Sequence, residues 1–259
     1  MRPQSHIKVI VRDVVIGGPR PLVCVPLVAE NFEDLVGQAE KMAASSPDLM
    51  EWRLDHYRCP DTADTTGHWR SVLEALRDCL GDLPLILTCR RTDEGGVQPF
   101  SREKRLFLIK TLIRTGHIDL VDIEMANDDE FIREVQEASD ACGARRIYSF
   151  HDFSGTPELP AMIRKIENAR NKGAHIAKLA VTPTCHEDVL TLMQATLKAR
   201  TGGISIPLIT LSMGDLGRIT RIAGGLFGSD ITFAAGETTS APGQMPICAL
   251  RQAMAPLYS

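Results

Sequence analysis

Eight short apolar runs recur at nearly even intervals along this chain, and their spacing constrains the fold more than any other feature. They lie at residues 22–27, 48–54, 83–90, 118–125, 145–151, 175–181, 206–212 and 230–235. Each is mostly continuous in apolar character rather than alternating. That pattern marks strands covered on both faces, as in parallel sheets. Most runs lead into an amphipathic helical stretch. The stretch 31–45 opens on Asn31, a good N-cap, with Glu33 and Asp34 in its first turn. In 101–115, Leu106, Ile109 and Ile113 fall at helical spacing and Gly116 is a stop signal. The stretches 158–171 and 187–200 end before Gly173 and Gly202, and 246–255 places Pro246 at a first helical position.

Eight such units over about 235 residues predict an α/β fold, a (β/α)8 TIM barrel. A doubly wound sheet is the competing architecture. It usually carries a glycine-rich phosphate turn after its first strand, whereas "PLVAENFED" follows the first run here. Ahead of the first run, residues 7–18 ("IKVIVRDVVIGG") read as a small hairpin closing the bottom of the barrel. The expectation is one domain over 1–259, with the barrel from 22 to 259 and no linker or low-complexity tract.

Composition narrows the class of function. The chain has 259 residues, 44% hydrophobic, enough to bury a large core. A net charge of −4, no basic stripe and only 5% aromatic residues argue against a nucleic-acid partner. The apolar stretches are strand-length, so none is expected to cross a membrane, and the start "MRPQSHIKVIVRD" lacks the apolar core of a signal peptide. The seven cysteines are odd in number and form no C-x-x-C pair. They read as free, mostly buried thiols in a reducing cytoplasm, and a reactive thiol at Cys89 is disfavoured.

In such a barrel, chemistry sits at the C-terminal ends of the strands. The polar residues there are Glu51 and Arg53, Arg90 with Glu94 just beyond it, Asp122 and Glu124, His151 and Asp152, Lys178, Arg221, Ser240 and Gln244. Each has a structural alternative. Glu51 and Arg53 could pair with each other. Asp122 and Glu124 read better as structural ion-pair partners. Arg221 alone suits a solvated helix. Lys178, inside "HIAKLAVTP", could pair with Glu51 or Glu124. Its functional reading has a mechanism, because a desolvated lysine near other cations has a depressed pKa and can attack a ketone as a neutral amine. The resulting Schiff base acidifies the neighbouring carbon–hydrogen bond, and His151, one strand away, can take that proton. Glu94 or Asp152 would fix the imidazole tautomer. The arginines Arg53, Arg90 and Arg221 point to an anionic substrate, since their forks match carboxylates.

At these residues the sequence resembles the type I 3-dehydroquinate dehydratases of the shikimate pathway and aromatic amino acid biosynthesis. The likeness covers nearly the whole chain. It rests on "MEWRLDHY", "TCRRTDEGG", "SFHDFSGTP", "HIAKLAVTP", "LSMGDLGRITRIAGGLFGS" and "TTSAPGQMP", six motifs in one order. The resemblance implies a cytoplasmic homodimeric lyase that dehydrates 3-dehydroquinate to 3-dehydroshikimate without metal or cofactor. It implies Lys178 as the Schiff-base lysine, His151 as general acid and base, and Glu94 as the partner holding His151. Arg221 would bind the substrate carboxylate, and Glu51, Arg53 and Arg90 the ring hydroxyls. Ser240 and Gln244 would complete the pocket, with Met213 as an apolar wall. Three positions depart from the family pattern: Pro26 stands where some members have serine, Cys89 where phenylalanine is frequent, and Gly225 where glutamate is common. The alternatives are a class I aldolase or transaldolase-like Schiff-base barrel, for which the glycines at 224–228 offer a weak phosphate signal, and a catalytically silent barrel used for binding. The segment "AAGETTSAPGQ", rich in small residues, reads as a lid.

Overall fold

The structure, a computed structural model, describes residues 2–58 and 65–258. Two short strands, β1 (Val9–Val11) and β2 (Val14–Ile16), pair antiparallel as the expected hairpin. Eight β/α units follow, as the spacing predicts. They are β3 (Leu22–Leu27) and α1 (Phe32–Ala44), β4 (Leu49–Arg53) and α2 (Thr65–Leu80), and β5 (Leu85–Thr88) and α3 (Arg102–Ile113). Next come β6 (Leu120–Glu124) and α4 (Asp129–Cys142), β7 (Arg145–Asp152) and α5 (Leu159–Asn171), and β8 (Ile176–Val181) and α6 (His186–Thr201). The last are β9 (Leu208–Ser212) and α7 (Arg218–Ala223), and β10 (Ile231–Phe233) and α8 (Ile247–Met254). The eight barrel strands are all parallel, in the order β10-β3-β4-β5-β6-β7-β8-β9. The side chains of Asn31, Ser101 and Asp128 cap α1, α3 and α4 by accepting a backbone N–H three residues on. Pro246 stands one position outside its helix, as the N-cap residue.

Period-two alternation sorts the strand residues into two layers. Outward residues such as Trp52, Leu87, Val121, Tyr148 and Leu179 pack against the helices. Inward residues at the starts of the strands (Leu22, Leu49, Ile86, Leu120, Ile147, Ile176, Ile209 and Ile231) form a second apolar cluster with Val9, Val11 and Ile16 of the hairpin. The hairpin therefore seals the N-terminal mouth with β-branched side chains. The next inward position on five neighbouring strands is polar: Glu51, Thr88, Asp122, Ser149 and Lys178. The barrel is an oil-filled base under a charged mouth.

One seam closes differently. No ladder joins β9 to β10, and Asp230, fully buried, spans the gap instead. Its N–H donates to Leu208 O at 2.6 Å, and its carbonyl accepts from Leu22 N at 2.9 Å. Its carboxylate accepts from Leu208 N at 2.8 Å and pairs with Arg200 Nη2 at 2.7 Å and with Arg2. A residue ahead of the barrel and one on α6 are thus tied to the closing strand. Pro26 is tolerated in a buried strand for a related reason. Cys24 O accepts from Ala234 N, so Pro26, two residues on, also turns its nitrogen toward the β10 side. There β10 has ended, and Ala235 bridges to Pro246 instead.

The cysteine expectation needs correction. The six described cysteines are free, but only Cys24 and Cys89 are buried, while Cys142, Cys185 and Cys248 are exposed. Those three sit at the end of α4, at the cap of α6 and on the first turn of α8, outside either core layer. Cys59 lies outside the described residues. Burial pushes the Cys89 thiol up to about 12, against the pull of Arg105, which agrees with an inert side chain.

Removing the seam carboxylate should be costly, because it leaves two buried guanidinium groups without their counter-ion. Asp230→Ala is expected to lose about 3–5 kcal/mol and to lower the melting temperature by roughly 10 °C. Thermal unfolding followed by circular dichroism measures this, and a shift within error of zero would show that the seam is held by its backbone contacts alone.

Candidate active site

The ten site residues named from the sequence converge. Lys178, His151, Glu94, Glu51, Arg53, Arg90, Arg221, Ser240, Gln244 and Met213 all line one pocket at the C-terminal mouth of the barrel. Topology brings them together: parallel strands present the same end to the same mouth, and their inward positions share one space.

Lys178 projects from the middle of β8 and is 8% exposed. The sequence reading surrounds it with cations, but carboxylates are its nearest charged neighbours. Its Nζ donates to Asp122 Oδ2 at 2.8 Å and lies 3.9 Å from Glu51 Oε1. The ammonium also sits 4.8 Å from the centre of the Phe233 ring. Asp122 is shared. Arg90 Nη2 lies 2.9 Å from the same oxygen, and the Ser149 hydroxyl donates to the other. Burial opposes ionisation of Asp122, yet Arg90 and Lys178 hold its carboxyl well below the usual carboxylate range. Asp122 therefore belongs to the site, not only to a structural ion pair. Glu124 does act structurally, bound by Arg105 Nη2 at 2.7 Å, by Arg90 Nη1 at 3.2 Å and by the Arg91 N–H at 2.9 Å.

His151 ends the inward row of β7, two residues after Ser149. Glu94 Oε2 meets it twice, at 2.9 Å from its backbone N–H and at 2.8 Å from Nδ1. When Glu94 is ionised it can only accept, so Nδ1 then donates to it and Nε2 keeps its lone pair. Burial, reinforced by Arg90 and Lys178, pushes the imidazole well below its ordinary value and keeps it neutral. Burial raises Glu94 to about 7, against the pull of Arg90. Asp152, the other candidate for orienting the ring, instead accepts from Ser154 N and Gly155 N in the following turn.

Arg53 does not pair with Glu51. It forks onto Asp55, with Nε–Oδ1 at 2.9 Å and Nη2–Oδ2 at 2.7 Å. Asp55 is fully buried and also accepts the N–H groups of Arg90 and Val97, tying the loop that carries Glu94 to β4. Glu51 accepts from the Thr88 hydroxyl at 2.8 Å. Arg221 is 2% exposed, not solvated. It donates to Phe233 O at 3.3 Å and Pro242 O at 2.9 Å, and its Nε has no partner. Among the described residues it has no carboxylate partner, and burial lowers it to about 10. The segment after β10 is seated on these cations. Ser240 O accepts from Arg53 Nη1 at 3.2 Å, and Gln244 closes the turn through Ser240 N and Oγ.

Sequence reasoning left out Asp55, Ser149 and Phe153. Ser149 and Phe153 stand two residues either side of His151, so strand period alone could have found them. Phe153 lies so close to Gly95, whose φ is +86°, that a Cβ there would fall 2.4 Å from its ring. The phosphate signal at 224–228 falls at the wrong end of the barrel. Gly224–Phe227 precedes β10, Arg2 Nε donates to Gly225 O, and a Cβ on Gly225 would strike Pro21 and Tyr258. That packing also accounts for glycine at position 225.

Known proteins match this arrangement over its whole length. The type I 3-dehydroquinase family model matches residues 23–259. The 3-dehydroquinate dehydratase of Geobacillus kaustophilus is 41% identical over 250 residues, 96% of this chain and 95% of that one. Its crystal structure superposes with a TM-score of 0.93 at 40% identity, covering 99% of this chain and 98% of the other. The type I enzyme of Clostridium difficile, solved with covalently modified comenic acid, gives 0.91 at 34% identity, covering 97% and 98%. With the mouth geometry, the family model and relatives of this coverage in agreement, the chain belongs to the type I 3-dehydroquinase family.

Proposed function

We propose that this protein dehydrates 3-dehydroquinate to 3-dehydroshikimate through a Schiff base on Lys178, with His151 as general acid and base. The observation that carries this reading is the shared cavity of Lys178 and a His151 whose Nε2 is left free by the bond from Nδ1 to Glu94. The relatives named 3-dehydroquinate dehydratase support the substrate, and a type I relative solved with covalently modified comenic acid agrees with a site where covalent chemistry occurs.

Lys178 passes one ammonium proton to His151 Nε2 and adds as the amine to the C3 ketone; His151 returns that proton to the departing hydroxyl, and loss of water gives the iminium. This cation draws electrons from the adjacent bond, so His151 Nε2 can remove the C2 proton and leave an enamine. Glu94 stabilises the imidazolium formed at that moment. The enamine then expels the C1 hydroxyl, which departs as water with the proton carried by His151. Hydrolysis of the conjugated iminium releases product and restores the amine. Arg221 supplies the missing half of an ion pair to the substrate carboxylate. Glu51, Arg53 and Arg90 face the ring hydroxyls, Ser240 and Gln244 shape the mouth, and Met213 walls the apolar side. Asp122 keeps Arg90 and Ser149 as partners while Lys178 is engaged, so its charge stays compensated throughout.

Borohydride added with 3-dehydroquinate should fix one substrate-derived mass on Lys178. An unmodified chain, or an adduct on another lysine, overturns the imine assignment. Lys178→Ala should abolish formation of the conjugated product, which is followed by its ultraviolet absorbance, and should leave the circular dichroism spectrum unchanged.

Arg221→Ala should raise KM about a hundredfold, the order expected when a buried charge-paired contact is lost. A change confined to kcat would remove the carboxylate from that arginine. The pH profile follows from Glu94, which is ionised above about 7 and loses its charge below it. Wild-type kcat/KM should therefore fall as pH drops through about 7, while Glu94→Gln should be slower and lack that limb. An identical limb in the variant would assign it to another group.

A further inference from the structure

Two acids flank Lys178, Asp122 on β6 and Glu51 on β4, and each meets a hydroxyl from the strand that follows it. Thr88 on β5 donates to Glu51 Oε1 at 2.8 Å, and Ser149 on β7 donates to Asp122 Oδ1 at 2.5 Å. Both hydroxyl residues are fully buried, and neither lines the pocket, so neither is placed to touch a substrate. Strand period sets them in the inward layer, Ser149 two residues before His151 and Thr88 two before Arg90. Register brings them to the acids, with Ser149 opposite Lys178 in the β7–β8 ladder and Thr88 opposite Asp122 in the β5–β6 ladder. Chemistry fixes the direction of the Ser149 bond. Arg90 Nη1 lies 3.0 Å from the same hydroxyl and can only donate, so the hydroxyl proton goes to Asp122. With Oδ1 occupied, Asp122 offers Lys178 one oxygen, Oδ2 at 2.8 Å. The Glu51 oxygen held by Thr88 is the one that lies 3.9 Å from the ammonium.

We propose that Ser149 and Thr88 are positioning residues for Lys178, their hydroxyls capping the two flanking carboxylates so that neither clamps the ammonium and the amine is free to reach the ketone. A buried anionic oxygen left bare is costly, so an uncapped Asp122 Oδ1 has to find another donor. Arg90 is already spanned between two acids, Nη2 on Asp122 at 2.9 Å and Nη1 on Glu124 at 3.2 Å. Lys178 instead offers three N–H groups on a flexible stem. The freed oxygen therefore turns to Lys178, which both oxygens then hold as the ammonium. Uncapping Glu51 acts in the same sense and more weakly, because that acid stands farther from the amine. This role rests on the imine chemistry proposed above and names the groups that set how readily the lysine enters it.

Rapid mixing of the full chain with 3-dehydroquinate, quenched at set times with borohydride and read by mass spectrometry at Lys178, gives the rate constant of adduct formation. Normalising each time course to its end point removes any inactive fraction, so damage to folding alone does not move the result. Ser149→Ala should slow adduct formation about tenfold, the effect of one hydrogen bond to a charged group. Thr88→Val keeps the side-chain shape and drops the hydroxyl, and should slow it about threefold. Thr88→Ser keeps the hydroxyl and drops a methyl group, and should match wild type. Hydroxyl-free variants that react at the wild-type rate or faster overturn the positioning role, as does a Thr88→Ser chain as slow as Thr88→Val. A wild-type chain that gives no adduct overturns the imine reading itself and this role with it.

Discussion

Charge buried in the mouth of a barrel has to be neutralised from within, and that requirement organises this protein. Water cannot solvate side chains that are 8% exposed or less, so each cation needs an acid at hydrogen-bond distance. Arg53 has Asp55, Arg90 has Asp122 and Glu124, Arg105 has Glu124, and Lys178 has Asp122. The pairs lock the inward side chains of neighbouring strands to one another and fix the loop that delivers Glu94 to His151. Arg221 stands apart, with backbone carbonyls for company and no counter-ion among the described residues. Under the proposed function, the substrate carboxylate would supply that missing counter-ion.

The two ends of the barrel divide the work. The base is filled by β-branched and aliphatic side chains, capped by Val9, Val11 and Ile16 and closed at its seam by Asp230. The mouth carries charge that is costly to bury and is supported by that rigid base. The separation lets strand ends and following loops vary in chemistry while the apolar layers hold their geometry. The same logic places the turn at Gly224–Phe227 among structural contacts, since it precedes its strand and so lies at the base.

The fold was largely legible in the chain. Continuous apolar runs and helix caps each follow from local rules, and eight repeats leave few ways to close a parallel sheet. The candidate site was legible as a list. Strand-end position named Lys178, His151, Glu94 and the arginines, and the motif resemblance gave them expected roles. The pairings were not legible. Asp55, two residues after Arg53 in a short 3-10 turn, gives no sequence signal that it will fold back onto that guanidinium. Asp122 looked like a routine ion-pair partner, because its distance to Lys178 depends on the register of β7 against β6 and β8.

Residue order alone therefore determined the architecture, the mouth at which chemistry collects and the residue types gathered there, because strand period and helix capping act over a few neighbours. The tertiary structure decided which acid neutralises which base, which of two carboxylates holds His151, why Arg221 is left unpaired and how β9 meets β10. Many of those outcomes rest on contacts between residues far apart in the chain, 56 positions for Lys178 and Asp122, 57 for His151 and Glu94 and 228 for Arg2 and Asp230, and an ångström of strand stagger separates a hydrogen bond from a gap. Local sequence does not encode that stagger; the closed barrel imposes it.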